Sequence, residues 1–179
     1  MRLPSRTQLK PLLAAFALLG WLAIAAWRGG FGQGIGPARQ TLVTLEVLDG
    51  DTYRTPQGEL IRLLGADTPE RAAPWFEGAQ EPWASRATDF ARAKIQGANR
   101  VELLTLGERD AHGRLLAHVC VDGEPLAVLL VEAGLAYPTI PHYGDSGFPE
   151  VARSIEARAR RPPFQQPWRW RQLHRQSTR

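Results

Sequence analysis

Acidic and basic side chains gather where short strands are predicted to end in turns: Asp49, Asp51, Asp67 and Glu70, with Arg62 and Arg114. Aspartates from two separate turns can meet around a hard cation, and calcium prefers several oxygen ligands in an adaptable cage. A phosphodiester under attack accumulates negative charge that a cation and guanidinium groups stabilise. A nearby carboxylate can take a proton from the attacking water. These residue types therefore suit metal-assisted hydrolysis of a phosphate ester.

The composition narrows the choice of metal. One cysteine excludes an internal disulfide and any multi-cysteine zinc site, and the absence of paired histidines also argues against zinc. Residues 49–52 do not begin an EF-hand loop, because Tyr53 stands where a third oxygen ligand is needed. In the strand predicted at 59–64, Ile61 and Leu63 share the core face, so Arg62 faces the turns.

Each candidate also has a structural explanation when it is taken alone. Acids in turns commonly cap their own backbone, and Arg62 can pair with the nearby Glu59. Arg114 can simply follow the glycine of its turn. We expect three further side chains to be structural: His112 in a turn, Cys120 in the core and Tyr53 on the sheet surface. The combined pattern, and not any single residue, therefore decides between a functional and a structural role.

The positions of these residues depend on a predicted domain of short strands and three helices. Strands are predicted at 41–48, 52–55, 59–64, 100–106 and 114–121, where β-branched and apolar residues are bounded by turn signals. Pro82, Pro125 and Pro149 each suit the start of a helix, and apolar residues follow them at helical spacing. This order indicates a small, partly open β-barrel that carries helices, an α+β fold.

Residues 1–28 are predicted to be a signal peptide or a signal-anchor helix. The seventeen residues from Pro11 to Trp27 carry no charge and follow three basic residues. Cleavage after Ala25 would remove the segment, whereas an intact segment is just long enough to anchor the chain in a membrane. We favour the anchor. Residues 29–40 are rich in glycine and are predicted to be a flexible linker.

The basic charge of the chain lies at its two ends. The net charge is +4, yet residues 40–150 contain nine basic and seventeen acidic groups. Global charge therefore gives no argument for nucleic-acid binding. The basic tail at 162–179 alternates Trp and Arg at 168–171, a pattern that suits either contact with nucleic acid or membrane, or docking of the tryptophans onto the domain. Trp75 and Phe76 are expected to pack rather than to gate the site.

Four segments carry a family resemblance. Residues 49–52 read DGDT, 62–70 read RLLGADTPE, 110–114 read DAHGR and 132–136 read EAGLA. Their order and spacing across residues 41–161 resemble the staphylococcal-nuclease-like (thermonuclease) family. The resemblance implies an OB-fold, which is a five-stranded barrel with three helices. It also implies a calcium-dependent phosphodiesterase of DNA and RNA that leaves 3′-phosphate ends.

The resemblance assigns a role to each matching residue. It implies that Ca²⁺ is bound by Asp51, by Asp67 and by the backbone carbonyl of Thr68. Glu70 would orient or deprotonate the attacking water. Arg62 and Arg114 would bind the phosphate and its transition state. The expected substrate is preferably single-stranded, and the enzyme is expected to be a monomer that works outside the cytoplasm, either membrane-anchored or periplasmic or secreted.

Two other functions stay open from the sequence. A binding module of the same fold, tethered to the membrane, would have weak or no catalysis. A membrane-anchored structural protein would carry its acidic turns by coincidence. The six matching positions weigh against the first alternative, and the ordered motifs weigh against the second.

Overall fold

The computed structural model describes residues 38–42 and 44–176. The predicted signal or anchor segment, 1–28, lies outside these residues, as does most of the predicted linker. Within the described ranges, no helix combines the length and the apolar character needed to cross a bilayer.

Short strands position the polar turns. The described residues contain β1 (Ala38–Leu42), β2 (Glu46–Val47), β3 (Thr52–Arg54), β4 (Leu60–Leu63), β5 (Ala66–Asp67), β6 (Val101–Thr105), β7 (Leu115–Val121), β8 (Glu124–Pro125) and β9 (Tyr137–Pro138). Seven of them form one mixed sheet, in which β4 and β7 pair in parallel and set Arg62 opposite Leu116. β5 and β9 form a separate two-stranded sheet.

The predicted mixture of sheet and helices is confirmed, but no closed five-stranded barrel is found in the described part of the chain. The sheet runs β1-β6-β7-β4-β3-β2, with β8 beside β7, and no strand pairing joins β1 to β2. β2 lies within the segment predicted as one strand at 41–48, whereas β1 shares only residues 41–42 with that segment and begins at Ala38, inside the predicted linker. β1 pairs with β6, whereas β2 pairs with β3.

Helices follow the three predicted prolines. They are α1 (Trp83–Gly97), α2 (Leu126–Glu132) and α4 (Pro149–Arg158), and the sequence prediction of each is confirmed. Two more helices lie in the described residues, α3 (Ile140–Tyr143) and α5 (Pro167–His174). α5 belongs to the basic tail, and its Trp170 is buried, so this tryptophan docks onto the domain.

The core lies between the sheet and helices α1, α2 and α4. Its fully buried side chains include Ile61 from β4, Leu103 from β6 and Leu130 from α2. The prediction that Tyr53 lies on the sheet surface is wrong, because Tyr53 pairs across β3 and β4 with Ile61 and shares its buried face. The Tyr53 hydroxyl donates a hydrogen bond to the Gly50 carbonyl at 2.6 Å. The prediction that Cys120 is a core residue is confirmed.

Candidate active site

Strand β4 directs Arg62 into the acidic turns, as its alternation predicts. Its Nη1 donates to Asp51 Oδ1, and its Nη2 donates to Asp67 Oδ1 at 2.8 Å. Asp67 ends β5, and the turn after β2 supplies Asp51. Both carboxylates are almost completely buried. A buried charge needs a partner, and Arg62 supplies it to both.

The turn at 49–51 is fixed by its own side chains and by Thr68. Asp49 Oδ1 accepts a hydrogen bond from the Asp51 backbone N–H at 3.0 Å. Asp51 Oδ2 accepts one from the backbone N–H of Thr68 at 2.8 Å. Asp49 therefore has the capping role that acids in turns commonly take, while Asp51 turns its side chain towards the next motif.

Glu70 is positioned by the loop that follows it. Its backbone N–H donates to Gln80 Oε1 at 3.1 Å, and its carbonyl accepts from the Gln80 N–H at 2.8 Å. Gln80 is buried and also donates through Nε2 to the Gln165 carbonyl at 2.7 Å. This residue therefore ties the loop after Glu70 to the segment that leads into α5.

Arg114 reaches the site less directly than Arg62. Its Nε donates to Asp110 Oδ2 at 2.7 Å, while the other Asp110 oxygen accepts the backbone N–H groups of His112 and Arg114. Arg114 Nη1 lies 3.5 Å from Thr52 Oγ1, which lies 3.4 Å from Asp51 Oδ1. The side chain of Thr52 thus lies between Arg114 and Asp51. His112 is an exposed turn residue, as predicted.

Arg171 of α5 is part of the site, a position that the Trp and Arg alternation at 168–171 does not predict. Its Nη1 and Nη2 lie 3.1 and 3.0 Å from the two oxygens of Asp67, and Nη1 also donates to Glu70 Oε1. Pro167, in the first turn of α5, resembles the prolines that predicted the other helices. No local pattern indicates that Arg171 points at a carboxylate more than a hundred positions earlier. We call Asp51, Arg62, Asp67, Glu70 and Arg171 the carboxylate–arginine cluster.

Burial sets the protonation of this cluster. It raises the pKa of Glu70 to about 7, although Arg171 acts in the opposite direction. Burial also raises the pKa of Asp51, against the opposing charge of Arg62. For Arg62, burial disfavours the charged form, but Asp51 and Asp67 outweigh it and hold the pKa above its ordinary value. Arg62 therefore remains a cation, and Glu70 can exchange a proton near neutral pH.

The donor atoms around the cluster suit a hard cation. Within the described residues, no group of three His, Cys, Asp or Glu side chains is arranged to hold a metal ion. The available set is instead two buried carboxylates, Asp51 and Asp67, and Thr68 is joined to Asp51 through its backbone N–H. The three carboxyl groups of Asp51, Asp67 and Glu70 face the two guanidinium groups of Arg62 and Arg171, and the charge of Asp49 also acts on Arg62. An all-oxygen set with excess negative charge fits calcium better than a softer metal.

Comparison with known proteins matches a large part of this domain to a family. A model described as "Staphylococcal nuclease homologue" matches residues 60–162. The "Thermonuclease" of Staphylococcus intermedius is 34% identical over 101 residues, which cover 54% of this chain and 58% of that protein. "Endonuclease YncB" of Bacillus subtilis (strain 168) is 33% identical over 99 residues, which cover 52% of this chain and 46% of the relative. The chain thus spans about half the length of these relatives.

Proposed function

Because the chain belongs to the staphylococcal nuclease homologue family, we propose that it is a calcium-dependent nuclease that hydrolyses phosphodiester bonds of DNA and RNA. One observation supports this proposal most strongly. Arg62 lies between the buried carboxylates of Asp51 and Asp67, so that a phosphate-binding cation and two oxygen ligands share one place. An arginine with a purely structural role needs only one carboxylate partner, whereas Arg62 has two.

The chemistry follows from the positions of the side chains. Calcium bound by Asp51, Asp67 and the Thr68 carbonyl would supply positive charge beside the phosphate. Glu70 accepts a proton from water, and a pKa of about 7 suits a base that works near neutral pH. The water oxygen then bonds to phosphorus, the bond to the 5′ oxygen breaks, and that oxygen takes a proton from solvent. A 3′-phosphate and a 5′-hydroxyl remain.

The two arginines stabilise the charge that develops during this step. The planar guanidinium groups of Arg62 and Arg114 can each donate two parallel hydrogen bonds to phosphate oxygens. Arg62 is held by Asp51 and Asp67 before any substrate arrives, so little reorganisation is needed. Arg114 is held in the same way by Asp110.

The proposal also covers substrate form and location. Single-stranded nucleic acid is preferred, since its unpaired bases are open to aromatic side chains. Tyr143 is strongly exposed, and so is Trp75, contrary to the expectation that it packs as Phe76 does. The enzyme acts as a monomer outside the cytoplasm, either anchored by residues 1–28 or released by cleavage there. A comparison of cleavage rates on single-stranded and duplex DNA tests the first point. Sequencing the N-terminus of the mature protein distinguishes the anchored form from the released form.

Cleavage of labelled single-stranded DNA, with calcium and with excess chelator, tests the central proposal. We expect cleavage to require calcium and the products to carry 3′-phosphates. Glu70→Gln keeps the size of the side chain but removes the basic carboxylate, and should lower turnover by about 10²-fold or more. Glu77→Gln is the matched control, because Glu77 is an exposed acid of the same loop. Cleavage in excess chelator would contradict the calcium requirement, and binding without any cleavage would favour the membrane-tethered binding module.

A further inference from the structure

Helix α5 brings a third guanidinium to the site from outside the region that the family model matches. The match ends at residue 162, and α5 begins at Pro167. Both oxygens of Asp67 are engaged by Arg171, and Oδ1 is also engaged by Arg62. The same Arg171 guanidinium donates to Glu70. The proposed base and a proposed metal ligand therefore share one partner from the tail.

The tail holds Arg171 in place through contacts of its own. The ring of Trp170 packs edge-on against Phe76, with ring centres 5.4 Å apart, and stacks on His174 at 4.3 Å. The backbone N–H of Glu77 donates to the His174 carbonyl at 2.8 Å, and Phe76 pairs with Arg175 as a β-bridge. These contacts join α5 to the loop that follows Glu70. Arg171 is therefore a positioned residue and not a freely moving surface arginine.

A guanidinium and a calcium ion compete for the same oxygen lone pairs. Asp67 has two oxygens, and each accepts a hydrogen bond from Arg171. A carboxylate can ligate calcium through both oxygens or through one, and in either case it must give up at least one of these contacts. Arg171 is 30% exposed at its side chain, so it has room to withdraw towards solvent.

We propose that Arg171 is a tethered cation that occupies Asp67 and Glu70 until calcium displaces it. This inference rests on the proposed function, since it concerns the same calcium site. Because displacement costs the ion pairs of Arg171, calcium binds more weakly than the oxygen ligands alone would allow. Removal of the guanidinium should therefore strengthen calcium binding, within the range of about 5–150-fold that is typical of coupling between two ligands.

Calorimetric titration of the full-length protein with calcium chloride, in mild detergent, tests this inference. Arg171→Gln should bind calcium at least about tenfold more tightly than the wild type. Arg169→Gln is the matched control, because it removes the same charge from the same helix. Arg169 is exposed and lies against the Trp168 ring at 5.3 Å. Its calcium affinity should equal that of the wild type.

Equal or weaker calcium affinity in a folded Arg171→Gln variant would overturn the inference, as would the absence of calcium binding in every form. Circular dichroism shows whether the variant folds. If the variant does not fold, the side-chain Nε–Hε NMR signal of Arg171 in the wild type tests the inference instead. We expect that signal to shift as calcium is added, and an unchanged signal at saturation overturns the inference. A DNA cleavage assay on the same samples reports separately on the proposed function, because calcium affinity is measured without substrate.

Discussion

The backbone N–H of Thr68 donates a 2.8 Å hydrogen bond to Asp51 Oδ2 and so joins two turns that lie seventeen positions apart. Gly50 makes this approach possible. A Cβ at Gly50 would lie 2.8 Å from three side-chain atoms of Thr68, closer than real Cβ atoms come to such neighbours. The glycine of the DGDT motif thus leaves space for the threonine of the second motif.

Gly50→Ala should therefore separate the two turns. The added methyl group has to displace the buried Thr68 side chain, and overpacking of this kind typically costs about 1–3 kcal/mol of unfolding free energy. We expect a lower midpoint in urea unfolding and weaker calcium binding. Gly97→Ala is the control, because a Cβ there meets no atom within 4 Å. A Gly50→Ala variant with the stability and calcium affinity of the wild type would contradict the proposed packing.

The sequence predicts the elements with strong local signals. Strands β3, β4, β6 and β7 follow from β-branched and apolar runs between turns, and three helices follow from Pro82, Pro125 and Pro149. The direction of Arg62 follows from alternation, because Ile61 and Leu63 are buried on the opposite face. These features depend on residues that are near one another in the chain, which is why periodicity and turn chemistry suffice.

Features that depend on distant contacts were not predictable in the same way. β5 and β9 have two residues each and pair across about seventy positions, so neither carries a periodic pattern. The burial of Tyr53 depends on which strands flank β3. The contact of Arg171 with Asp67 depends on where a tail helix docks. In each case tertiary packing decides the outcome, and local propensity does not report it.

Replacement of either aspartate by asparagine should weaken calcium binding. Asp51→Asn and Asp67→Asn keep the shape of the side chain but remove one negative charge from the ligand set. We expect each variant to bind calcium at least about tenfold more weakly in calorimetric titration. Asp89→Asn, an exposed position of α1 that pairs with Arg92, is the control. Wild-type affinity in both folded variants would remove these residues from the metal site.

His118 should make stability fall in mild acid. Burial lowers the pKa of His118 to about 4, and its Nδ1 has no hydrogen-bond partner among the described residues. Its unfolded pKa is near 6.5, so the unfolded state binds the proton more tightly. The unfolding free energy should therefore fall as pH drops from about 6.5 towards 4, by about 3 kcal/mol in total from this group.

Comparison with His118→Leu isolates this contribution. Leucine cannot take a proton, so the stability difference between the wild type and the variant should change across that pH window and stay constant above about pH 7.5. His112→Gln is the control, since His112 is exposed in its turn. Urea unfolding at several pH values measures the difference. The same pH dependence in the wild type and in His118→Leu would show that other groups are responsible.

Replacement of the two arginines by lysine distinguishes transition-state stabilisation from simple attraction of nucleic acid. Arg62→Lys and Arg114→Lys keep the charge but lose the two parallel donors of the guanidinium. We expect each to lower turnover by about 10²–10³-fold, which is the cost of removing one pre-organised donor, with little change in DNA affinity. Arg109→Lys is the control, because Arg109 is an exposed arginine that pairs with Glu59.

Circular dichroism and thermal melting must accompany the kinetics, since Arg62 also pairs with two buried carboxylates. Arg114 pairs with Asp110 at the edge of the site, so a loss of folding is less expected in its lysine variant. Native turnover in both folded variants would exclude the arginines from the chemical step.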